Sequence, residues 1–324
     1  MRNNNERGQS MVLTVVFMVV LLGFAALVID VGSWYRAHRS AQATADASAL
    51  AGAAVLPDTA AASALATQYF TKNGGSGSGT GGGPQITFTQ SGYEMDTIKV
   101  KITRASPGFF ARVFGSKFMN VTVSGSATAR AYNVQGIQNG IAPITVNYKH
   151  PLLNCTRGQN STCNPTFGTP TQLTLEDIHT SGGKDAAGSF GLINLNGVQG
   201  GNIGAGTLAD WLLNGYHDHD LQVGKYDSAP GANFNNSQFT SALDQKLGQE
   251  LLFPVYRLLK GPGSNAMYDI IGWVGFVIDS YSNSGSTGVI NGHFTRYTTD
   301  GIPAENGNGG GAPGLGVHKV ELTN

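Results

Sequence analysis

The chain has 324 residues with equal numbers of acidic and basic side chains, so its formal net charge is zero. Only 12% of the residues are charged, about half the usual share, while glycine (46 residues) occurs at about twice its usual frequency. Nothing in this composition indicates nucleic-acid binding, which would favour a basic patch, so we predict no nucleic-acid partner. The composition is typical of a β-rich extracellular surface protein, and the length allows two domains beyond a membrane anchor.

The first predicted element is an uncharged apolar helix over Gly8–Ile29, which ends at Asp30. Its core, Ser10–Ile29, has roughly the 20 residues that a helix needs to cross a bilayer. Thirteen of these residues are Leu, Ile, Val or Phe, and together they favour membrane insertion by about 4–8 kcal/mol. We therefore predict a single-pass anchor that contacts membrane lipid. A cleaved secretory signal is the alternative, although its apolar region would be shorter.

The charges that flank the span do not decide its orientation. Arg2 and Arg7 precede it, and Arg36 and Arg39 follow it, so the positive charges are nearly balanced. A large glycine-rich region with two cysteines follows the span, and such a region belongs outside the cytoplasm. The prediction is a cytoplasmic N-terminus and an extracytoplasmic C-terminal domain.

The helix is predicted to continue beyond the membrane as an alanine-rich stem. Trp34 and Tyr35 stand where an interfacial aromatic belt is expected, and Pro57 ends the helix. A stripe of small residues recurs every fourth position of this stem, at Ala37, Ala41, Ala45, Ala49 and Ala53. Small side chains let helices approach closely, so we predict a packing face, either within the chain or between subunits.

A small α/β domain is predicted over residues 57–135, after an anchor and stem at 1–56. Its predicted elements are, in order, the helix Ala60–Lys72, the alternating strands Ile86–Thr89 and Ile98–Ile102, the short helix Pro107–Phe114 and the strand Met119–Ala131. Asn133–Asn139 is polar and is predicted to be a bridge between domains.

Residues 136–324 are predicted to form a larger β-rich domain. Its predicted strands are Ile141–Tyr148, Thr171–Leu175, Phe190–Leu195, Phe253–Leu259, Asp269–Ser280 and Asn291–Thr298. One amphipathic helix is predicted over Gln238–Leu252, capped by Asn236 or Ser237. The predicted fold class is therefore α+β: a long transmembrane helix with an alanine-rich stem, a small α/β head and a larger β-rich C-terminal domain.

Few residues are candidates for catalysis or metal binding. The segment His217-Asp218-His219-Asp220 is the densest cluster of metal-ligand types, but such spacing on a loop is weak evidence for a metal site. Asp279-Ser280-Tyr281 lacks the serine spacing of a von Willebrand A metal loop. We predict no catalytic residue, no metal and no cofactor. Cys155 and Cys163 share one polar loop and are predicted to form a disulfide outside the cell.

The N-terminal module resembles that of TadG-like Flp pilus-assembly proteins of the tight-adherence (Tad) system. The resemblance rests on Arg7-Gly8-Gln9-Ser10, the apolar run, Asp30-Val31-Gly32 and the segment Ala45–Ala53. It implies a non-catalytic, minor-pilin-like component in the bacterial cytoplasmic membrane, with other pilus or assembly subunits as partners, including further copies of itself. Residues 57–135, including Phe109–Gly115, fit the same proteins more loosely.

The chain departs from pilin-like relatives at two places. Gly8 and Gln9 are the candidate processing junction, but Leu13 stands where prepilin signals carry Glu. The von Willebrand A metal loop of many relatives is absent from the sequence. Two other functions remain open: an anchored extracytoplasmic hydrolase that uses His217, His219 and Asp220, and an adhesion module unrelated to pili.

Overall fold

The computed structural model forms two compact units. The residues that the structure describes are 6–75, 82–91, 95–115, 120–137, 140–156, 163–175, 189–197, 203–261, 266–283, 288–303 and 314–323. The first unit contains the N-terminal 90 residues, residues 95–130 and the extreme C-terminus. The second contains residues 91–94 and 131–320.

The first unit is built on one long helix. Helix α1 (Glu6–Ala53) is continuous over 48 residues, as the sequence predicts for the span and its stem. It ends before Pro57, and helix α2 (Thr59–Lys72) turns back against it. The Asp58 side chain caps α2 by accepting a hydrogen bond from the Ala61 amide at 3.0 Å.

A sheet that includes three antiparallel strands in sequence packs against this helix pair. These strands are β1 (Gln85–Thr89), β2 (Thr97–Pro107) and the first part of β3 (Asn120–Ile137). The predicted helix Pro107–Phe114 is only a single 3₁₀ turn, Ala111–Phe114. It connects β2 to β3 and lies beside α1.

The second unit contains most of the strands. In chain order these are β4 (Ile144–Asn147), β5 (Pro170–Leu175), β6 (Ser189–Leu192), β7 (Leu221–Gln222), β8 (Gly224–Asp227), β9 (Glu250–Lys260), β10 (Met267–Ser282), β11 (Val289–Thr295), β12 (Tyr297–Thr298), β13 (Ile302–Pro303) and β14 (Val317–Thr323), which enters the first unit at Glu321. Among the described residues, the strand order β11-β5-β6-β4-β9-β10 closes on itself because β10 also pairs with β11. The ring encloses an aromatic core that includes Phe253, Phe276 and Phe294.

Two predictions for this unit were wrong in detail, and one helix was missed. The helix predicted over Gln238–Leu252 is α4 (Ser237–Lys246), because Gly248 turns the chain with a φ of 71° and the next residues enter β9. The polar bridge Asn133–Asn139 is strand as far as Ile137, because the buried Val134 and Ile137 hold it in the sheet. Helix α3 (Ala205–Asn214) was not predicted, although its buried Leu208, Trp211 and Leu212 have helical spacing.

Two buried histidines make the stability of the second unit dependent on pH. Burial lowers the pKa of His318 to about 4, with a smaller contribution from the Arg296 charge. Burial likewise lowers the pKa of His150 to about 4. Since the unfolded chain binds a proton near pH 6.5 and the folded chain does not, protonation favours unfolding. Stability is full above pH 6.5 and is lost as the pH falls through 4.

We expect His318 alone to lower the free energy of unfolding by about 3 kcal/mol between pH 7 and pH 4. Denaturant titrations of the full chain in detergent, followed by Trp211 and Trp273 fluorescence, measure this loss. His318→Gln should flatten the pH dependence by that amount, whatever its effect at pH 7. His217→Gln, at an exposed position, is the matched control. Equal pH slopes in the wild type and His318→Gln would contradict the assignment.

Candidate functional site

The N-terminal half of α1 exposes apolar side chains on all sides. Met11 is 71% exposed and Ile29 is 48% exposed, and the large apolar residues between them fall within a similar range. No other described helix is long and apolar enough to cross a membrane. A continuous apolar surface of this length is long enough to cross a bilayer.

Asp30 lies at the end of this apolar surface, and its side chain is buried. Residue Asp30 is only 1% exposed. One carboxylate oxygen accepts the amide hydrogen of Phe109 at 2.7 Å, and the other accepts that of Phe110 at 3.0 Å and also that of Ala111. The carboxylate therefore caps the 3₁₀ turn and satisfies backbone donors that this turn leaves free.

We call the part of the first unit that follows α1 the head. These bonds fix a loop of the head to the point where the apolar run of α1 ends. Phe109 and Phe110 nevertheless leave about half of their side-chain surface exposed, at 52% and 46%, and Val113 is 82% exposed. All three belong to the segment Pro107–Phe114, for which the sequence predicts a short helix. In the structure they form an apolar, solvent-facing rim, which we call the Phe109–Val113 rim.

Beyond Asp30, the small-residue stripe packs against the chain's own elements. Ala41, Ala45, Ala49 and Ala53 are all 0% exposed, while Ala37 is half-buried. Helix α1 contacts both α2 and β2 along this face. The sequence left open whether the stripe packs within the chain or between subunits, and in this chain it is covered from within.

At Gly125 the main chain of the sheet lies directly against the main chain of the helix. A Cβ atom on Gly125 of β3 would lie 2.5 Å from the carbonyl carbon of Ala41 and 2.6 Å from the Cα of Gln42. Real Cβ atoms do not approach other atoms so closely, so only glycine fits here. The small residues on both sides thus let the helix lie directly on the sheet.

Polar side chains fix the position of the helix on this sheet. The Gln42 carboxamide donates to the Ser126 carbonyl oxygen at 2.9 Å and accepts from the Ser126 amide at 3.2 Å, as a neighbouring strand would. Arg104 of β2 donates to the hydroxyls of Ser40 at 2.9 Å and Thr44 at 3.0 Å. Such directional bonds fix the register of the helix, whereas the alanines fix its distance.

The candidate hydrolase cluster has no comparable organisation. His217, Asp218, His219 and Asp220 are all exposed, and His219 Nδ1 lies 2.7 Å from the hydroxyl of Tyr216. Within the described ranges, no three side chains of His, Cys, Asp or Glu come together as a metal-binding group. Asp279 pairs with His293: the Oδ2 atom of Asp279 lies 3.2 Å from the Nδ1 atom of His293. This geometry gives the hydrolase alternative no support.

Two other sequence predictions concern covalent chemistry. Cys155 and Cys163 form the predicted disulfide, and no described cysteine is free. Gly8 and Gln9 both lie within α1. Processing at that junction stays a prediction.

The exposed apolar half-helix and the head fixed to its end define a class: a protein with an extended N-terminal helix that can anchor a folded head in a membrane. The comparison with protein families is more specific. Residues 8–55 match the family model described as "Putative Flp pilus-assembly TadE/G-like", which confirms the resemblance inferred from the sequence. No curated protein and no solved structure matches the chain. The match ends with α1, so the head and the strand ring lie outside it.

Three residues that organise this site are not recognisable from sequence patterns as site residues. The sequence places Asp30 at the end of the apolar run and in the pilus-assembly motif, but it does not reveal the backbone amides that the carboxylate binds. An acidic residue beside an apolar run is nevertheless a signal, because such a charge needs compensating partners. The sequence gives no sign of the roles of Gln42 and Arg104. Gln42 binds Ser126, and Arg104 binds Ser40 and Thr44; these partners are far away in the sequence and are common polar residues.

Proposed function

We propose that this chain is a non-catalytic, membrane-anchored component of a bacterial Tad/Flp pilus system. The single observation that carries the proposal is the pilus-assembly family match over residues 8–55, which coincides with the exposed apolar helix and its stem. The module that the family model matches and the helix that could span a membrane are therefore the same segment of the chain. The helix holds the subunit in the cytoplasmic membrane, and the extracytoplasmic head and β-rich domain meet other pilus or assembly subunits.

The contacts along α1 refine the mechanism by which the module acts. Because the stripe from Ala41 to Ala53 is buried in its own chain, it does not offer a free face to another subunit. Its part in assembly is to hold the head against the helix, so that the head is presented at a fixed place above the membrane. Contact with neighbouring subunits then falls to the exposed span, which includes Gly23 and Ala25, and to the exposed surfaces of the head and the strand ring.

The proposal is tested in the native host by deleting the gene and restoring it with variants. Deletion should abolish surface pili or adherence, and the wild-type gene should restore them. The double variant His217→Ala with Asp220→Ala should restore them equally well, because a structural role needs neither side chain. If the wild-type gene restores pili and this variant does not, at equal protein levels, the result would instead favour the hydrolase alternative.

We expect the N-terminus to be cytoplasmic and the head to be extracytoplasmic. Ala60 is exposed in the first turn of α2, so Ala60→Cys should react with a membrane-impermeant maleimide in spheroplasts. Asn4→Cys should react only after lysis. The native cysteines do not interfere, because Cys155 and Cys163 form a disulfide. The opposite labelling pattern would reverse the orientation.

A further inference from the structure

We infer that the Phe109–Val113 rim inserts into the lipid interface of the membrane that α1 spans. The inference deepens the proposed function and rests on it, since it needs α1 to be a membrane helix. The rim would give the head a second attachment to the bilayer, separate from the helix. Lipid, rather than another protein, is the partner to which the observations point.

The depth of the rim follows from its bonds to Asp30. The Phe109 amide nitrogen lies 2.7 Å, and that of Phe110 3.0 Å, from the carboxylate of the residue that ends the apolar run. The rim is therefore held level with the end of the membrane-spanning segment. Leu27 and Val31, on either side of Asp30 in the helix, are 56% and 49% exposed, so the rim adds to an apolar surface that already faces lipid.

The side chains of the rim suit an interfacial position. In segments that lie in the membrane interface, Phe belongs to the apolar face that enters the boundary between headgroups and acyl chains. Phe109, Phe110 and Val113 expose enough apolar surface to gain from leaving water. Arg112 lies between them in the sequence and is exposed, so its guanidinium can reach lipid phosphates. An apolar rim with an exposed cation is the pattern expected at a phospholipid surface.

A second contact point changes what the anchor can do. A single helix sets the depth of a protein but leaves it free to rotate about the helix axis, and flanking anchors restrict tilt and rotation. Because the rim lies to one side of α1, its insertion would select one rotational setting of the head. Every copy in a membrane would then present the same face of its head to the membrane surface.

The test uses the full chain in vesicles of phosphatidylcholine and phosphatidylglycerol that contain either shallow or deep spin-labelled lipids. An NBD fluorophore is attached at Val113→Cys, with Ala60→Cys and Met18→Cys as reference positions. The C-terminal end of α1, at Ala53, lies about 35 Å beyond Asp30 along the helix. Position 60 is at the start of α2, beside that end of α1, so its probe marks the aqueous side. The probe at position 18 marks the middle of the apolar run.

We expect shallow spin labels to reduce the fluorescence at position 113 at least twofold, with little effect at position 60. Deep spin labels should quench position 18 most strongly. If position 18 is quenched while position 113 behaves like position 60, the rim inference fails and the anchor stands. If position 18 is not quenched, the membrane anchor itself fails. A probe at position 113 that is shielded from water yet unquenched by either lipid label would mean that a protein surface covers the rim, which also overturns the inference.

A second variant separates insertion from folding. In Phe109→Ser with Phe110→Ser, the backbone amides that bind Asp30 are retained, while most of the apolar surface of the rim is lost. Quenching of the position 113 probe by shallow spin labels should fall at least twofold relative to the unmodified rim. Unchanged quenching would show that the two aromatic side chains do not hold the rim in lipid, and would contradict the inference.

Discussion

Replacing Asp30 by alanine should release the loop that contains Phe109, Phe110 and Ala111 from the end of the apolar run of α1. The carboxylate accepts hydrogen bonds from all three backbone amides, and each buried donor left without a partner costs roughly 1–3 kcal/mol. We expect a loss of about 3 kcal/mol in the local opening free energy. Hydrogen exchange of a peptide covering residues 107–115 should then become on the order of 100-fold faster.

Two further variants make this result specific. Asp30→Asn keeps one acceptor oxygen and should give an intermediate exchange rate. Asp58→Ala removes the carboxylate that caps α2 in the same unit, and should leave exchange in the 107–115 peptide unchanged. Membrane insertion should be retained in all three variants, because none makes the apolar run less apolar. Exchange in Asp30→Ala at the wild-type rate would show that the carboxylate does not hold the loop.

Gly125→Ala should separate the stem from the sheet. The new methyl group would lie 2.5 Å and 2.6 Å from main-chain atoms of Ala41 and Gln42, and a main chain cannot rotate away as a side chain can. Overpacking of a core commonly costs 1–3 kcal/mol, and we expect about 3 kcal/mol or more here. Faster exchange in stem peptides and a lower unfolding midpoint of the full chain in detergent would measure it.

The chain offers matched controls for this experiment. A Cβ on Gly83 meets no atom within 4 Å, so Gly83→Ala should leave both measurements unchanged. Combining Gly125→Ala with Ala41→Gly should not restore stability, because the clash is with the main chain and not with the alanine side chain. Rescue by Ala41→Gly, or wild-type stability of Gly125→Ala, would contradict the direct packing of helix on sheet.

Pattern and composition determined the long-range plan of this protein. The thirteen Leu, Ile, Val and Phe residues in Ser10–Ile29 and the alanines that follow favour one long helix, because helix propensity and hydrophobicity are properties of each residue in its local segment. The order of Gly8, Asp30 and Ala45–Ala53 was enough to recognise the pilus-assembly module that the family match confirms. Alternating strands such as β2 were predictable for the same reason, since a half-buried strand shows its period in the sequence.

Local patterns failed where distant partners outweighed them. Leu251 continues the helical spacing of α4, yet it lies in β9 because pairing with Phe276 of β10 is available. The strand β3 continues through polar Asn133 because neighbouring residues are buried in a sheet. In each case a contact between residues far apart in the chain decided the local structure, and no window of sequence contains such a contact.

The site shows the same division between what one segment specifies and what two segments specify together. Sequence alone determined that α1 carries an apolar half and a stripe of small residues, because both are properties of one helix. Only the tertiary structure decided that the stripe from Ala41 to Ala53 lies against the chain's own sheet, and that Asp30 holds the loop at Phe109. Residues 30 and 109 are far apart along the chain, so their meeting depends on β2 and β3 packing against the stem. That packing is set by Gly125 and by the polar bonds of Gln42 and Arg104.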